Sequence, residues 1–245
     1  PQERAPSGTV KPVPKRKQHT TGRSRRYQRK QAPESSVVLI NPDGSDGERF
    51  DLFADTTSIG SSKADINFSG DQFLAARHAV IFYERDVLKV RSLDPTNGVF
   101  RQIKEPHPVI SGDLFRVGQE LLRVQLALDD APLPIKERDG THFLGSGAPA
   151  NSWGRLYQQV TPTAYGNVYW LSGREVSIGR TEGDICFPDD GYVSGRHATL
   201  TYEGSRALLT DTGSSNGTYY KLKRTIRLRN GDVLLIGQQL LRIEL

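Results

Sequence analysis

Four polar residues in the last third of the chain have side chains that suit the binding of a doubly charged, tetrahedral anion. Arg180 supplies a planar guanidinium that is always charged and can donate two parallel hydrogen bonds. Ser194 and Ser215 supply hydroxyl donors, and Asn216 supplies an amide that can bond to the main chain of a peptide. All four stand near glycines, in turn-like stretches. The set indicates recognition of an anionic group that is presented on a peptide.

The stretches that must position these residues read as short β-strands. They are β-branched or aromatic runs separated by Gly and Asp, and no segment sustains the helical period of about 3.6 residues. In the second half of the chain the runs are Val168–Leu171, Glu175–Ile178, Ile185–Phe187, Ala198–Tyr202, Ala207–Thr210, Val233–Ile236 and Leu240–Leu245. Strands this short with turns this frequent predict an all-β chain built as a β-sandwich.

The chain also contains an internal repeat with an offset of 119 residues. No gap is needed to align residues 47–126 with residues 166–245. The aligned pairs are Gly60-Ser61 with Gly179-Arg180, His78 with His197, Asn97-Gly98 with Asn216-Gly217, Gly112-Asp113 with Gly231-Asp232, and Gly118-Gln119 with Gly237-Gln238. So long a period indicates two copies of a whole domain. We name residues 37–127 copy one and residues 155–245 copy two.

Two further segments lie outside the copies. Residues 128–154 read as a Pro/Gly-containing linker, partly pinned by Phe143 and Trp153. Residues 1–36 are predicted to be a disordered basic arm, because they have few aliphatic residues and carry a net charge of +8. Residues 37–245 then carry 23 basic and 26 acidic residues, so the overall charge of +5 comes from the arm.

Composition excludes several classes of protein. A single cysteine, Cys186, rules out an internal disulfide framework and fits a reducing compartment. No apolar run approaches the roughly 18 residues of a membrane span. The five histidines are scattered, so neither a metal site nor a cofactor is expected.

The ordered set Gly179-Arg180, Ser194-Gly195-Arg196-His197, Asn216-Gly217 and Gly231-Asp232 resembles the forkhead-associated (FHA) domain. The resemblance covers residues 155–245 fully and residues 37–126 in outline. It implies two consecutive β-sandwiches of about eleven strands each, with loops at one end that bind phosphothreonine peptides.

The resemblance assigns a role to each matching residue. Arg180 and Ser194 would bind the phosphate, Ser215 would line the phosphate site, and Asn216 would bond to the peptide main chain. Gly195 and Arg196 lie on the same loop, where Arg196 would help to select a residue after the phosphothreonine. His197 would tie the binding loops together without contacting the ligand, supported by Gly179 and Gly217.

Copy one departs from this pattern at the phosphate-binding positions. Ser61 stands where copy two has Arg180, and Ala75 stands where it has Ser194. The remaining counterparts of the motif are His78, Thr96 and Asn97. Lys63 is a poor substitute for the missing guanidinium, because an ammonium cannot form the bidentate fork. Copy one is therefore predicted to be a degenerate domain with a structural or phosphate-independent interaction role.

An enzymatic interpretation fits the sequence less well. Residues 213–217 match the G-x-S-x-G pattern of a hydrolase nucleophile, with His197 and Asp211 nearby in sequence. That pattern needs a helix after the turn, whereas Thr218-Tyr219-Tyr220 reads as a strand. Copy one keeps the histidine and has no serine in the corresponding stretch, residues 94–98. We expect no catalytic residues.

The sequence thus predicts a cytoplasmic phosphothreonine-binding adaptor in Ser/Thr-kinase signalling, whose partner is a phosphorylated kinase or kinase substrate. A eukaryotic chain would be nuclear. The alternative is a protein that binds nucleic acid or an anionic surface through residues 1–36, with the sandwiches as scaffold. A third possibility joins the two, because a phosphorylated Thr20 or Thr21 in the arm could dock onto copy two, either within one molecule or between molecules, where it would cause self-association.

Overall fold

The computed structural model describes residues 35–53, 55–126, 138–141, 149 and 151–245, and every regular element in them is a β-strand. The first ten are β1 (Ser36–Ile40), β2 (Asp46–Asp51), β3 (Thr56–Gly60), β4 (Ile66–Asn67), β5 (Ala79–Glu84), β6 (Val87–Ser92), β7 (Val99–Gln102), β8 (His107–Val109), β9 (Leu114–Val117) and β10 (Glu120–Leu126). The other ten are β11 (Ser152–Gln159), β12 (Tyr165–Ser172), β13 (Glu175–Gly179), β14 (Ile185–Cys186), β15 (Ala198–Glu203), β16 (Arg206–Asp211), β17 (Thr218–Lys221), β18 (Ile226–Arg227), β19 (Val233–Ile236) and β20 (Gln239–Glu244).

The all-β prediction is confirmed, and the strands follow from the alternation of apolar and polar residues. In β6, for example, Leu88 and Val90 are buried, while Lys89 between them lies on the other face and is only partly buried. Each predicted run of copy two lies in or overlaps a strand. No helix long and apolar enough to cross a membrane occurs in the part of the chain described.

The strands form two β-sandwiches that share one continuous sheet. The shared sheet has ten strands in the order β12-β11-β10-β9-β17-β7-β19-β20-β1-β2. Its half from β7 to β2 packs against the five-stranded sheet β18-β6-β5-β3-β4, and we call this unit the first sandwich. Its half from β12 to β17 packs against β14-β13-β15-β16-β8, and we call this unit the second sandwich. Each sandwich thus has ten described strands, against the expected number of about eleven.

Each sandwich contains strands from both copies of the repeat. The first sandwich takes β1–β7 from copy one and β18–β20 from copy two, and the second takes β8–β10 from copy one and β11–β17 from copy two. The final three strands of each copy are therefore exchanged, as in domain swapping but within one chain. The repeat alignment did not predict this exchange, because the two arrangements bury equivalent residues.

The exchange begins immediately after β7 and β17. Instead of turning back, the chain crosses at Ile103 into the core of the second sandwich, and at Leu222 into the core of the first. The crossing is held by two backbone hydrogen bonds, from Ile103 N to Thr218 O (2.9 Å) and from Leu222 N to Val99 O (2.8 Å). Since β7 and β17 also pair with each other, neither strand is left with an open edge.

The residues at the ends of the predicted copies are structured. Ser35 and Ser36 are buried, and β1 starts at Ser36, inside the segment predicted to be a disordered arm. Strand β11 starts at Ser152, so Trp153 belongs to the second sandwich, where its ring stacks on Tyr202 and its Nε1 donates to Gly173 O at 2.9 Å. Phe143 and residues 1–34 lie outside the described residues.

Candidate functional site

Three loops at one end of the second sandwich bring the predicted site residues together. The first loop follows β13 and begins with Arg180, the second connects β14 to β15 and contains Ser194, and the third connects β16 to β17 and contains Ser215 and Asn216. Arg180 N donates to Ser194 O at 2.8 Å, and Glu182 N donates to Gly195 O at 3.1 Å. The first two loops are therefore joined through their main chains.

Gly179 permits this close approach. A Cβ atom at this position would lie 2.1 Å from Gly195 O and 2.3 Å from Glu182 O, which no side chain tolerates. The glycine is therefore required by the contact between the two loops. Its counterpart Gly60 has the same environment, because a Cβ there would lie 2.2 Å from Ala76 O.

His197 links the second loop to the third from the interior of the sandwich. Its side chain is fully buried, its Nδ1 accepts a hydrogen bond from Ser194 N (3.0 Å), and its Nε2 donates to Gly217 O (3.2 Å). Burial lowers the pKa of His197, although the Gly217 carbonyl and the carboxylates of Asp211 and Asp190 oppose this effect. The neutral ring with its proton on Nε2 satisfies both bonds.

The hydroxyl and amide groups of the site are only partly engaged. Ser194 Oγ accepts a hydrogen bond from Ser215 N at 3.0 Å, which leaves the Ser194 hydroxyl hydrogen free to donate. Asn216 Nδ2 donates to Tyr192 O at 2.8 Å, which leaves the Asn216 carbonyl oxygen free to accept. The two residues are thus held in place by one bond each and retain a group for a ligand.

Arg180 supplies the positive charge. Its side chain is exposed, and within the residues that the structure describes its guanidinium has no hydrogen bond or ion pair. Arg196 is also exposed, on the same loop as Gly195. An uncommitted guanidinium on joined loops that also carry two serines and an asparagine suits an anion on an extended peptide.

Asp211 organises the third loop, a role that the sequence did not reveal. Its carboxylate accepts hydrogen bonds from Gly213 N (2.9 Å), Ser214 N (2.9 Å), Ser214 Oγ (2.7 Å) and Thr218 Oγ1 (2.7 Å). Burial by itself would raise the pKa of Asp211, but the hydrogen bonds from Thr218 and Ser214 hold it below its ordinary value. The repeat gives no signal for this residue, since Ser92 stands at the corresponding position of copy one.

These contacts bear on the hydrolase-like pattern of residues 213–217. Both ring nitrogens of His197 are bonded to main-chain groups, so neither is available as a base for Ser215. Asp211 is bonded to the third loop and Thr218. The turn leads into strand β17 rather than a helix. The arrangement is a loop scaffold and lacks the geometry of a nucleophile with its base.

The first sandwich has the same scaffold with different groups at its surface. Ala75 N donates to His78 Nδ1 at 3.2 Å, and His78 Nε2 donates to Gly98 O at 2.7 Å. Asn97 Nδ2 donates to Phe73 O at 2.9 Å, as Asn216 does to Tyr192 in the second sandwich. Ser61 brings no cation to the position of Arg180, and Ala75 brings no hydroxyl to the position of Ser194.

The loops of the second sandwich also contact residues of copy one, which the sequence did not predict. Asp190 Oδ2 accepts a hydrogen bond from Gln119 N at 2.6 Å, in the turn between β9 and β10. Gln102 packs beneath the third loop, where a Cβ on Gly217 would lie 2.3 Å from its Nε2. The repeat could have indicated the first contact, because both of its residues recur at the offset of 119: Asp71 is equivalent to Asp190, and Gln119 is equivalent to Gln238.

The fold and the site define a protein with two β-sandwich modules and a set of convergent, anion-binding loops on the second. The family model described as the FHA domain matches residues 57–118 and 176–237, which together make up half of the chain. The chain therefore belongs to the FHA-domain family.

Several known proteins are similar to this chain. FHA domain-containing protein FhaB of Mycobacterium tuberculosis is 38% identical over 71 residues, which cover 28% of this chain and 46% of that protein. The chain thus spans about half the length of that relative. FhaB of Mycolicibacterium smegmatis is 30% identical over 115 residues, which cover 44% of this chain and 74% of that protein. A structure of Mycobacterium tuberculosis EmbR in complex with a low-affinity phosphopeptide is 27% identical, covering 32% of this chain and 22% of that chain, with a TM-score of 0.21.

Proposed function

We propose that this protein is a non-enzymatic adaptor that binds phosphothreonine peptides through the loops of the second sandwich, in the context of Ser/Thr-kinase signalling. The observation that carries the proposal is the uncommitted guanidinium of Arg180, whose main-chain N–H is bonded to the carbonyl of Ser194. Membership of the FHA-domain family supports it.

The chemistry of the loops fits a phosphate group. A phosphothreonine carries a charge of about −1.5 to −2 near neutral pH and three strong acceptor oxygens. Arg180 would donate two hydrogen bonds to it, and the Ser194 hydroxyl a third, while Ser215 lines the same site. Each charge-assisted bond contributes about 1.5–3 kcal/mol. Asn216 Oδ1 would accept from a peptide N–H, which fixes the direction of the peptide.

The affinity is expected to be micromolar, about 8 kcal/mol of binding free energy. The peptide contributes a small interface and must be ordered on binding, and both factors limit the affinity. Such an affinity suits a reversible adaptor whose partner, a phosphorylated kinase or kinase substrate, is released on dephosphorylation.

The first sandwich is proposed to be degenerate and not to bind phosphothreonine. Its loops keep the structural histidine and the Asn97 amide, but Ser61 and Ala75 offer no fork for a phosphate. Its role is then structural or that of a phosphate-independent interaction module. Copy one, which supplies most strands of the first sandwich, also supplies strands β8–β10 to the second.

The test is a titration of a degenerate phosphothreonine peptide library with the full chain, read by fluorescence anisotropy. The full chain is required because residues 155–245 alone lack β8–β10. We expect binding by the natural protein and its loss in the Arg180→Ala variant. Arg206→Ala removes one exposed positive charge from strand β16 and serves as the matched control. Equal binding by the Arg180→Ala variant would refute the proposal.

The basic arm favours a second candidate function. Residues 1–36 carry a net charge of +8, which suits attachment to nucleic acid or an anionic surface. In that case removal of residues 1–34 abolishes binding and its steep salt dependence, whereas Arg180→Ala has no effect. Self-association through phosphorylated Thr20 or Thr21 is tested by competition, since a phosphorylated arm peptide must then displace a bound library peptide. A cytoplasmic location accords with the first function.

A further inference from the structure

Asp190 connects the second loop of the second sandwich to a turn that belongs to copy one. Its side chain is 8% exposed, and its two carboxylate oxygens accept hydrogen bonds from two different segments. Oδ2 accepts from Gln119 N at 2.6 Å, and Oδ1 accepts from Tyr192 N at 2.9 Å. One buried carboxylate thus fixes the β9–β10 turn of copy one against the loop that presents Ser194.

The turn that Asp190 contacts is itself tightly defined. Gly118 has a φ of +59°, a conformation that favours glycine, and a Cβ there would lie 2.7 Å from Asp190 Oδ2 and from a methyl group of Val193. Arg116 Nη2 donates to Gln119 O at 3.2 Å, so Gln119 is held through its carbonyl as well as its N–H. The turn is therefore a fixed support for the loop.

The support extends to the residues proposed to bind the ligand. Tyr192, whose N–H is held by Asp190, offers its carbonyl oxygen to Asn216 Nδ2 at 2.8 Å. Ser194 follows two residues later and accepts the N–H of Ser215 through its Oγ. A shift of the Asp190–Tyr192 segment would move both the second loop and the asparagine of the third.

The geometry points to Asp190 as a positioning residue for phosphopeptide recognition, so that the site of the second sandwich depends on the β9–β10 turn supplied by copy one. The inference rests on the proposed function of the second sandwich. It assigns copy one an indirect part in recognition even though its own loops lack the phosphate-binding groups. Asp190 does not touch the ligand in this arrangement and acts through Tyr192.

The molecule contains its own control for this inference. Asp71 is the counterpart of Asp190 in the first sandwich and is 5% exposed. Its Oδ2 accepts from Gln238 N at 2.7 Å and its Oδ1 from Phe73 N at 2.9 Å, and Phe73 O accepts from Asn97 Nδ2. Asp71 Oδ2 also accepts from Gln239 Nε2 at 2.9 Å. A substitution at Asp71 therefore disturbs the same pair of bonds and this third one, next to a site that lacks the phosphate-binding residues.

The experiment compares Asp190→Asn with Asp71→Asn in the full chain. For each variant the thermal unfolding midpoint is measured, together with the affinity for the tightest-binding library peptide at a temperature where the variant is fully folded. We expect both variants to lose stability, and Asp71→Asn at least as much as Asp190→Asn, because each replaces a buried carboxylate acceptor by a carboxamide and Asp71 accepts one bond more. Only Asp190→Asn should weaken peptide binding, by about tenfold in Kd. Asp190→Ser, whose hydroxyl can still accept one bond, provides a second variant if Asp190→Asn does not fold.

The possible results separate this inference from the proposed function. Unchanged affinity in a folded Asp190 variant, with binding abolished by Arg180→Ala, overturns the positioning role and leaves the proposed function intact. An equal loss of affinity in the Asp71 and Asp190 variants also overturns it, since the effect is then one of general stability. Binding that survives Arg180→Ala overturns the proposed function and the positioning role together.

Discussion

Arg101 and Tyr220 face each other in the centre of the antiparallel pair formed by β7 and β17. They are also counterparts at the repeat offset of 119, and their neighbours obey the same symmetry, because Phe100 pairs with Lys221 and Gln102 pairs with Tyr219. A local two-fold axis therefore passes between Arg101 and Tyr220. The two copies are related by this axis, and the chain crosses it twice, which is why each sandwich contains strands of both copies.

The strand exchange makes a prediction about which residues can be cross-linked. Gln125 of copy one pairs with Arg155 at the edge of copy two, and antiparallel partners have Cα atoms about 4.5–5.5 Å apart, within the range of a disulfide. In a Cys186→Ser background, the double variant Gln125→Cys/Arg155→Cys should form an intramolecular disulfide on oxidation. Mass spectrometry of the monomer measures the loss of two hydrogens.

The matched variant is Glu244→Cys/Arg155→Cys. Glu244 is the counterpart of Gln125, and in the structure it pairs with Ser36 in the first sandwich. If each copy folded by itself, Glu244 would instead take the place of Gln125 beside Arg155. We expect this variant to keep two free thiols under the same oxidation. An intramolecular disulfide in it, and none in the first variant, would disprove the exchange.

Part of the fold could be predicted from the sequence, and the repeat shows which part. The strands follow from alternating apolar residues, and the equivalence of the copies follows from the aligned histidines, Asn-Gly and Gly-Asp pairs. The exchange could not be predicted, because Leu122 and Leu241 are equivalent core residues that fill either sandwich in either arrangement. What decides the arrangement is the path of Ile103 and Leu222 after their strands, and a four-residue connection gives no sequence signal for it.

The candidate site likewise has some residues that the sequence predicted and others that it did not. The residues at the surface of the loops were predicted from their chemistry, and the structure brings Arg180, Ser194, Ser215 and Asn216 to one end of the second sandwich. The residues that hold those loops were missed. Asp211 works through bonds within its own loop, and Asp190 through a bond to Gln119, which is 71 positions away in the chain. The contact of Asp190 depends on the tertiary fold and leaves no local pattern, whereas Asp211 was missed because copy one has Ser92 at the equivalent position.

The difference between the two sandwiches predicts that binding can be transferred. In an Arg180→Ala background, the substitutions Ser61→Arg and Ala75→Ser should give the first sandwich affinity for a phosphothreonine peptide. The reason is that His78 and Asn97 make the same scaffold contacts as His197 and Asn216, and Thr96 stands at the position of Ser215. We expect Kd to be about tenfold weaker than that of the natural site. Fluorescence anisotropy of the full chain measures it.

The control for the transfer is Ala75→Ser in the same background. It restores the hydroxyl without the guanidinium and should not bind, because Lys221 Nζ is engaged with Thr96 O at 2.8 Å and Lys63 cannot form the bidentate fork. If the triple variant folds and shows no more binding than this control, the difference between the sandwiches does not lie in these two positions.

The close approach at Gly179 predicts a stability effect and a binding effect that can be separated. Gly179→Ala and Gly60→Ala each place a methyl group against a backbone carbonyl, so each should destabilise the protein by about 1–3 kcal/mol. Only Gly179→Ala should also weaken binding of a phosphothreonine peptide, because it separates Arg180 from the Ser194 loop. Urea unfolding and peptide titration of the two variants measure this. Equal peptide affinity in both would contradict the role assigned to the contact.

The buried His197 predicts a loss of stability in mild acid. Burial lowers its pKa below the ordinary value of 6.5, so as the pH falls the unfolded chain binds the proton before the folded chain does. The free energy of unfolding should therefore decrease as the pH drops below about 6.5, before the carboxylates begin to titrate near pH 4. Urea unfolding at about pH 7.5 and pH 5.5 measures the change.

The control for this prediction is His197→Gln, whose amide can still accept from Ser194 N and donate to Gly217 O but does not titrate. It should lose less stability than the natural protein between the two pH values. Burial also lowers the pKa of His107, whose ring stacks on Tyr220, so His107→Gln must be measured in parallel to assign the remainder. If His197→Gln loses as much stability as the natural protein, His197 is not the group that responds. The pH dependence would then have to come from other groups such as His107, and the lowered pKa of His197 would be wrong.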